Sequence, residues 1–304
     1  MQPSIIDKIN TLKAQRNAII LAHYYVNDEI QDIADYIGDS FYLSKVATTT
    51  EADVIVFCGV SFMGESAKLL NPGKTVLMPD MSADCAMAHM CDVDKIKYLK
   101  EQYEDLAVVC YINSTAELKR YSDVCVTSAN ALKIVRELPN KNIFFIPDEN
   151  LGRYVAEKVP EKHFIFNDGF CPIHKNIRRE HILKSKRQHP EALVLAHPEC
   201  TPDVLELADY IGSTSGIIQY VNNCPSDSFI IATETGVFHQ LKKENPDKQF
   251  YPACPDQICW DMKLITFEKI ADVLEHQNNQ VELTSDILSE ANAPLNRMLA
   301  LANA

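Results

Sequence analysis

The chain is one pattern written three times. AHYYVNDEIQDIADYIGDS runs from Ala22 to Ser40 and AHPECTPDVLELADYIGST from Ala196 to Thr214, sharing ADYIG outright; CYINSTAELKRYSDVCVTS, from Cys110 to Ser128, is a more diverged copy. Offsets of 88 and then 86 residues superpose His23, Tyr111 and His197, then Tyr25, Asn113 and Glu199, then Asp35, Asp123 and Asp209, then Ser40, Ser128 and Thr214. The same offsets superpose three apolar runs, IVFCG from Ile55, IFFIP from Ile143 and FIIAT from Phe229. A period near 87 residues is too long for a solenoid unit, so each copy is expected to form a small domain of its own.

Within each copy, short β-branched runs alternate with amphipathic segments, which calls for parallel strands with helices on both faces. The first copy reads as helix 4–16, strand 18–22, helix 28–37, helix 41–50, strand 53–58, helix 62–70 and strand 75–79. Opening helices recur near 92–104 and 176–189, and two more are expected near 267–276 and 284–302. The expected architecture is α/β: three homologous αβα domains, their parallel sheets related by pseudo-threefold symmetry around a central site. The domains are placed at 1–86, 87–172 and 173–260, with a helical segment, 261–304, packing back on them. Only nine glycines and no Gly-rich linker imply that the domains pack tightly.

Cys85, Cys171 and Cys259 lie 86 and 88 residues apart, one per copy, so three soft ligands can meet at a common axis. Zinc fingers want closely spaced cysteine pairs, which this set lacks. The isolated, equivalent placement suits an iron–sulfur cluster with three irons held by thiolate and the fourth left open. YPACPDQICWDMK offers both Cys254 and Cys259 as the third ligand, and the repeat favours Cys259; Cys85 is preferred to Cys91 on the same ground. The other cysteines call for no disulfide framework; Cys58, Cys110 and Cys125 fall in or beside apolar strands, where a free thiol behaves as a small hydrophobe.

The formal charge of -13 leaves no basic surplus to neutralise phosphates and argues against a nucleic-acid partner. No apolar run approaches a membrane span, and the N-terminal MQPSIIDKINTLKAQRN is polar and amphipathic, so a cytoplasmic protein is expected.

In doubly wound sheets, ligands bind at the carboxyl ends of the strands. His23, Tyr25, Tyr111, Asn113, His197 and Glu199 follow directly on the runs AIILA, LAVVC and ALVLA. Ser40, Ser128 and Thr214 stand at helix starts, where they can cap a helix and leave its N–H groups facing an anion. Glu199 is the one obvious carboxylate in this strand-end set and the candidate general base.

LAHYY with QDIADYIGDS, GVSFMGE, MSADC, YINST, CVTSAN, PDENLG, GFCPIH, HPEC, DYIGSTSG, TETG and ICWDMK occur in an order that resembles the quinolinate synthases, the A-proteins of de novo NAD biosynthesis, over nearly the whole chain. The resemblance implies a [4Fe-4S] cluster on Cys85, Cys171 and Cys259 whose fourth iron binds substrate where three αβα domains meet. It implies a transferase that condenses iminoaspartate with dihydroxyacetone phosphate to quinolinate, releasing phosphate and two waters, with iminoaspartate handed on by an aspartate-oxidising or aspartate dehydrogenase enzyme. By position, His23, Ser40, Asn113 and Ser128 would hold carboxylates. His197, Ser213 and Thr214 would hold further carboxylate or the phosphorylated triose, with Tyr25 and Tyr111 as phenol donors, Glu199 as base, and His174 and Met63 facing the cavity. Some members carry a C-x-x-C-x-x-C run at the third ligand; this chain has only Cys254 and Cys259. Two other readings share the three-cysteine centre: an aconitase-type hydro-lyase acting on a hydroxy acid, and a non-enzymatic iron–sulfur sensor or carrier.

Overall fold

The computed structural model describes residues 4–303; Met1, Gln2 and Pro3, at the head of the expected N-terminal sequence, and Ala304 lie outside it. The first unit runs α1 (Ile5–Arg16), β1 (Ala18–His23), α2 (Asp28–Ile33), β2 (Tyr36–Gly38), α3 (Ser40–Thr49), β3 (Val54–Cys58), α4 (Ser61–Leu70) and β4 (Thr75–Leu77). The second repeats it as α5 (Val93–Gln102), β5 (Leu106–Tyr111), α6 (Ala116–Arg120), β6 (Val124–Val126), α7 (Ala131–Glu137), β7 (Asn142–Ile146), α8 (Glu149–Lys158) and β8 (His163–Phe166). A short α9 (Pro172–Asn176) leads into the third: α10 (Arg179–Gln188), β9 (Leu193–Ala196), α11 (Pro202–Leu205), β10 (Tyr210–Ile211), α12 (Thr214–Asn223), β11 (Ser228–Ala232), α13 (Val237–Glu244) and β12 (Gln249–Pro252). The chain closes with α14 (Phe267–His276), α15 (Ser285–Glu290) and α16 (Asn292–Asn303).

Each unit is a four-stranded parallel sheet, with orders β2-β1-β3-β4, β6-β5-β7-β8 and β10-β9-β11-β12. The central strands are almost wholly buried because helices cover both faces, and their apolar residues run without alternation. In the third sheet the two faces separate cleanly: Val194, Ala196, Ile230 and Ala232 pack into one apolar cluster, Leu195, Phe229 and Ile231 into another. The first two sheets instead share one continuous core with the C-terminal helices, α14 lying along α1 and α16 against α4, α6, α7 and β6.

The expected helix 28–37 is two elements. α2 ends at Ile33, and Tyr36–Gly38 pairs with β1 as a parallel edge strand. The intervening acid explains the break. Asp35 accepts the Ile20 N–H through its carboxylate at 2.7 Å and donates its own N–H to the Ile20 carbonyl. Asp123 does the same to Val108 and Asp209 to Val194, so the repeated aspartate is a clamp that starts the edge strand in all three units. Asp209→Ala is expected to lower stability by about 1 kcal/mol, the net value of one such bond, read as a drop in the denaturation midpoint. The expected helix 284–302 is likewise divided, at Ala291.

Close packing between units is visible at Gly236, after β11. A Cβ there would meet the Tyr24 carbonyl oxygen at 2.5 Å and the Tyr25 Cα at 2.7 Å. Fully buried Gln31 seals the same seam, donating to the carbonyls of Tyr24, Val26 and Gly236. The strand-end loop that carries Tyr25 is thus pressed against the third unit.

Candidate active site

All three units contribute to one cavity, lined by residues that follow the strands of each and stand at or before its helices. His23, Tyr25 and Ser40 come from the first, Tyr111, Asn113 and Ser128 from the second, and His197, Glu199 and Thr214 from the third. Cys85, Cys171 and Cys259 line it together, as do Met63 and His174. Cys254 does not: it is buried in the apolar cluster beside Ala196 and Ile230, while Cys91 lines a surface cleft with Asn167 and Asp168. All ten cysteines are free.

The register of the cysteines differs from that of the strands. Strand positions follow offsets of 88 and 86, whereas the cysteines follow 86 and 88, so the strict counterpart of Cys85 in the second unit is Ile173. The cysteines keep step with the helices that follow them. Val93, Arg179 and Phe267, the first residues of α5, α10 and α14, each stand eight residues beyond a cysteine. The stretch from the start of β8 to its cysteine is two residues shorter than those from the starts of β4 and β12, which accounts for the change.

Ser213 is the one expected site residue outside the cavity lining. Its hydroxyl accepts the Gly216 N–H at 3.1 Å as the cap of α12. The cap of α3 is Asp39, which accepts the Tyr42 N–H. Ser40 and Thr214 are therefore first helical residues rather than caps, and their hydroxyls line the cavity.

The two histidines at equivalent strand ends share a tautomer. The Tyr25 N–H donates to His23 Nδ1 at 3.2 Å and the Glu199 N–H to His197 Nδ1 at 3.3 Å, which puts the ring proton on Nε2. His197 Nε2 then donates to the Ser128 hydroxyl at 3.2 Å. Burial lowers both imidazoles to about 3, with His197 adding to the shift at His23, so both serve as neutral donors. Burial, followed by the Glu199 charge, raises Tyr25 and Tyr111 well above the ordinary phenol value and keeps them protonated.

Burial works against ionisation of Glu199. His174 and His197 outweigh it, helped by hydrogen bonds from His174 and Tyr111, and bring the carboxyl down to about 2. His174 Nδ1 lies 2.6 Å from Glu199 Oε2 and 3.2 Å from Cys171 Sγ. Its Nε2 meets Thr233 Oγ1 at 2.9 Å, Thr233 meets the Tyr25 hydroxyl at 2.8 Å, and that hydroxyl meets Thr214 Oγ1 at 2.8 Å. A hydrogen-bonded chain thus runs from Glu199 through His174, Thr233 and Tyr25 to Thr214. Three buried oxygens, Glu199 Oε1, Asn113 Oδ1 and Thr127 Oγ1, have no protein partner, and all three residues line the cavity.

Burial pushes the Cys85 thiol up to about 12 and Cys259 to about 11, with Cys171 also raised; Cys259 adds to the shift at Cys85, and Glu199 and Cys85 add to that at Cys171. Ionising these three thiols beside a carboxylate would require a positive centre among them. The donor set fits an iron–sulfur cluster: one soft sulfur per unit, in a partly dry wall, with oxygen and nitrogen donors left over for a ligand. Cys171, His174 and Glu199 also form a tighter group, their ligand atoms within 4.8 Å of one another. No lysine or arginine lines the cavity among the described residues; acids (Asp39, Asp84, Glu199, Glu234) do. An anionic ligand must be held here by imidazoles, hydroxyls, helix N-termini and any metal centre.

Sequence reasoning missed Thr233, the link between His174 and Tyr25, and two fully buried acids, Asp148 and Glu234. Their signal was the tail of the apolar runs at Ile143 and Phe229, where PDENLG and TETG carry them. Among the described residues, no helix is long and apolar enough to cross a membrane.

The family model described as "Quinolinate synthetase A protein" matches residues 7–300. The chain is 50% identical over 303 residues to quinolinate synthase of Sulfurihydrogenibium sp., covering 98% of each chain. It is 50% identical over 302 residues to that of Clostridioides difficile, with 99% of each covered. To that of Fusobacterium nucleatum it is 51% identical over 296 residues, with 97% of this chain and 99% of the other covered. With three like units converging on one cysteine-bearing cavity and these relatives matched almost end to end, the chain belongs to the quinolinate synthase family of enzymes.

Proposed function

We propose that this enzyme condenses iminoaspartate with dihydroxyacetone phosphate to quinolinate, releasing phosphate and two waters, in the cytoplasm and as a step of NAD biosynthesis. The observation that carries this reading is the single cavity to which each unit brings one cysteine together with neutral donors. Cys85, Cys171 and Cys259 would hold a [4Fe-4S] cluster, which supplies an open iron as a Lewis acid for carboxylate or hydroxyl oxygen.

The chain's own residues supply the rest. His23 and His197 offer Nε2–H donors fixed by backbone bonds two residues on, which suit the carboxylates of iminoaspartate. Ser40, Asn113, Ser128 and Thr214 add hydroxyl and amide donors, the first and last at helix N-termini suited to carboxylate or phosphate. Thr214 lines the cavity, whereas Ser213, the cap of α12, does not. Glu199 removes carbon-bound protons during triose isomerisation and dehydration. His174 Nδ1, 2.6 Å from Glu199 Oε2, holds the carboxylate in place, and Thr233 joins that pair to the Tyr25 phenol. Tyr25 and Tyr111 remain protonated donors for developing oxyanions.

Iminoaspartate hydrolyses readily, so an enzyme that oxidises aspartate must supply it close by. Omission assays on the anaerobically reconstituted enzyme test the reaction. Quinolinate should form only when both iminoaspartate and dihydroxyacetone phosphate are present; dehydration of a hydroxy acid in their place would favour the aconitase-type reading.

A further inference from the structure

We infer that Asp148 and Glu234 are positioning residues that fix the backbone of Cys171 and Cys259 so that both thiols are aimed before a cluster is assembled. The inference rests on the cluster reading above.

The two acids occupy equivalent places, each two residues beyond the end of a central strand, β7 or β11, and both are 0% exposed. Each carboxylate bridges two backbone N–H groups. Asp148 accepts Leu151 N–H at 2.7 Å at the start of α8 and Cys171 N–H at 3.2 Å. Glu234 accepts Gly236 N–H at 2.6 Å, just before α13, and Cys259 N–H at 3.1 Å. Burying a carboxylate is costly unless its oxygens are engaged, and here the second oxygen of each is engaged by a cysteine that lines the cavity. Lys263 extends the Glu234 anchor: its Nζ lies 3.3 Å from Glu234 Oε1 and donates to the Tyr25 carbonyl at 2.7 Å, tying the Cys259 loop to the first unit.

The first unit reaches the same end by another route. Val60 stands at the equivalent place and has no carboxylate, and the acid comes instead from Asp84, the neighbour of Cys85. Asp84 accepts the Ser61 hydroxyl and lies 2.7 Å from His89 Nε2, and the Ser61 N–H holds the Ala83 carbonyl at 2.9 Å. The side chains have diverged: a carboxylate holds the N–H of Cys171 and of Cys259, while in the first unit the acid is the residue next to Cys85 and anchors the loop through Ser61 and His89. Cysteines on loops would otherwise lose conformational freedom on binding metal; anchoring them to rigid strand ends removes that cost beforehand.

The test is the rate at which reconstituted holoenzyme loses iron to a ferrous chelator under anaerobic conditions. Asp148→Ala and Glu234→Ala should release iron about tenfold faster than wild type or more, the usual scale for lost outer-shell support. Asp209→Ala, which removes the same type of bond far from the cysteines, should lower the denaturation midpoint and leave the release rate within about twofold. Should the alanine variants fail to fold, Asp148→Asn and Glu234→Gln, which keep one carbonyl acceptor, serve instead and should still release iron faster by a few-fold. Release within twofold of wild type from folded variants, or equal acceleration by Asp209→Ala, overturns the inference. Wild-type protein that takes up no iron and sulfide overturns the cluster reading itself, and the two failures are separately visible.

Discussion

Cys259→Ala is expected to leave a folded chain that assembles no stable cluster and makes no quinolinate, whereas Cys254→Ala keeps both. The pair is informative because the two thiols are five residues apart and only one lines the cavity. Cys254 is 3% exposed among Ala196, Ile230 and Ala232, its N–H held by Gln257 Oε1 at 2.9 Å, so its loss should cost only packing, about 1 kcal/mol. Removing Cys259 takes one of the three proposed iron ligands, and its N–H bond to Glu234 cannot replace the sulfur. Iron and sulfide per chain after anaerobic reconstitution check the prediction: near the full cluster complement for Cys254→Ala, near zero for Cys259→Ala.

Glu199→Gln is expected to retain the cluster and substrate affinity while kcat falls about 10²–10⁴-fold, the range for loss of a positioned general base. The amide nearly matches the carboxylate in shape, so the cavity should survive. Two properties vanish: the negative charge beside His174 at 2.6 Å and His197 at 3.6 Å, and the ability to take a proton. Glu199 Oε1, buried and without a protein partner, is the atom placed to do so. Unchanged KM with lost kcat marks a role confined to the transition state. Wild-type turnover would remove Glu199 from that role.

Much of this arrangement was legible in the chain because repeats make position informative. The expected strand-end set, His23, Tyr25, Tyr111, Asn113, His197 and Glu199, lines one cavity, since parallel strands of equal register end on the same side of each sheet. Three things were not legible. Tyr36–Gly38 follows a helix without a break in polarity, and only the Asp35 clamp on Ile20 reveals the strand. Adjacent polar residues such as Asp39 with Ser40, or Ser213 with Thr214, cannot be ranked as cap and ligand from composition, because either can accept a helix N–H. Finally, Val60, Asp148 and Glu234 share a place but not a chemistry, so the repeat conceals the two acids that hold Cys171 and Cys259.

One cysteine from each unit is proposed to hold a single cluster whose open iron meets the substrate. The most direct measurement is Mössbauer spectroscopy of enzyme reconstituted with ⁵⁷Fe, recorded with and without quinolinate. The account predicts that about a quarter of the iron signal, one site in four, changes when quinolinate is added while the rest stays put. Four irons that all ignore the ligand would contradict it and point to a fully ligated sensor or carrier.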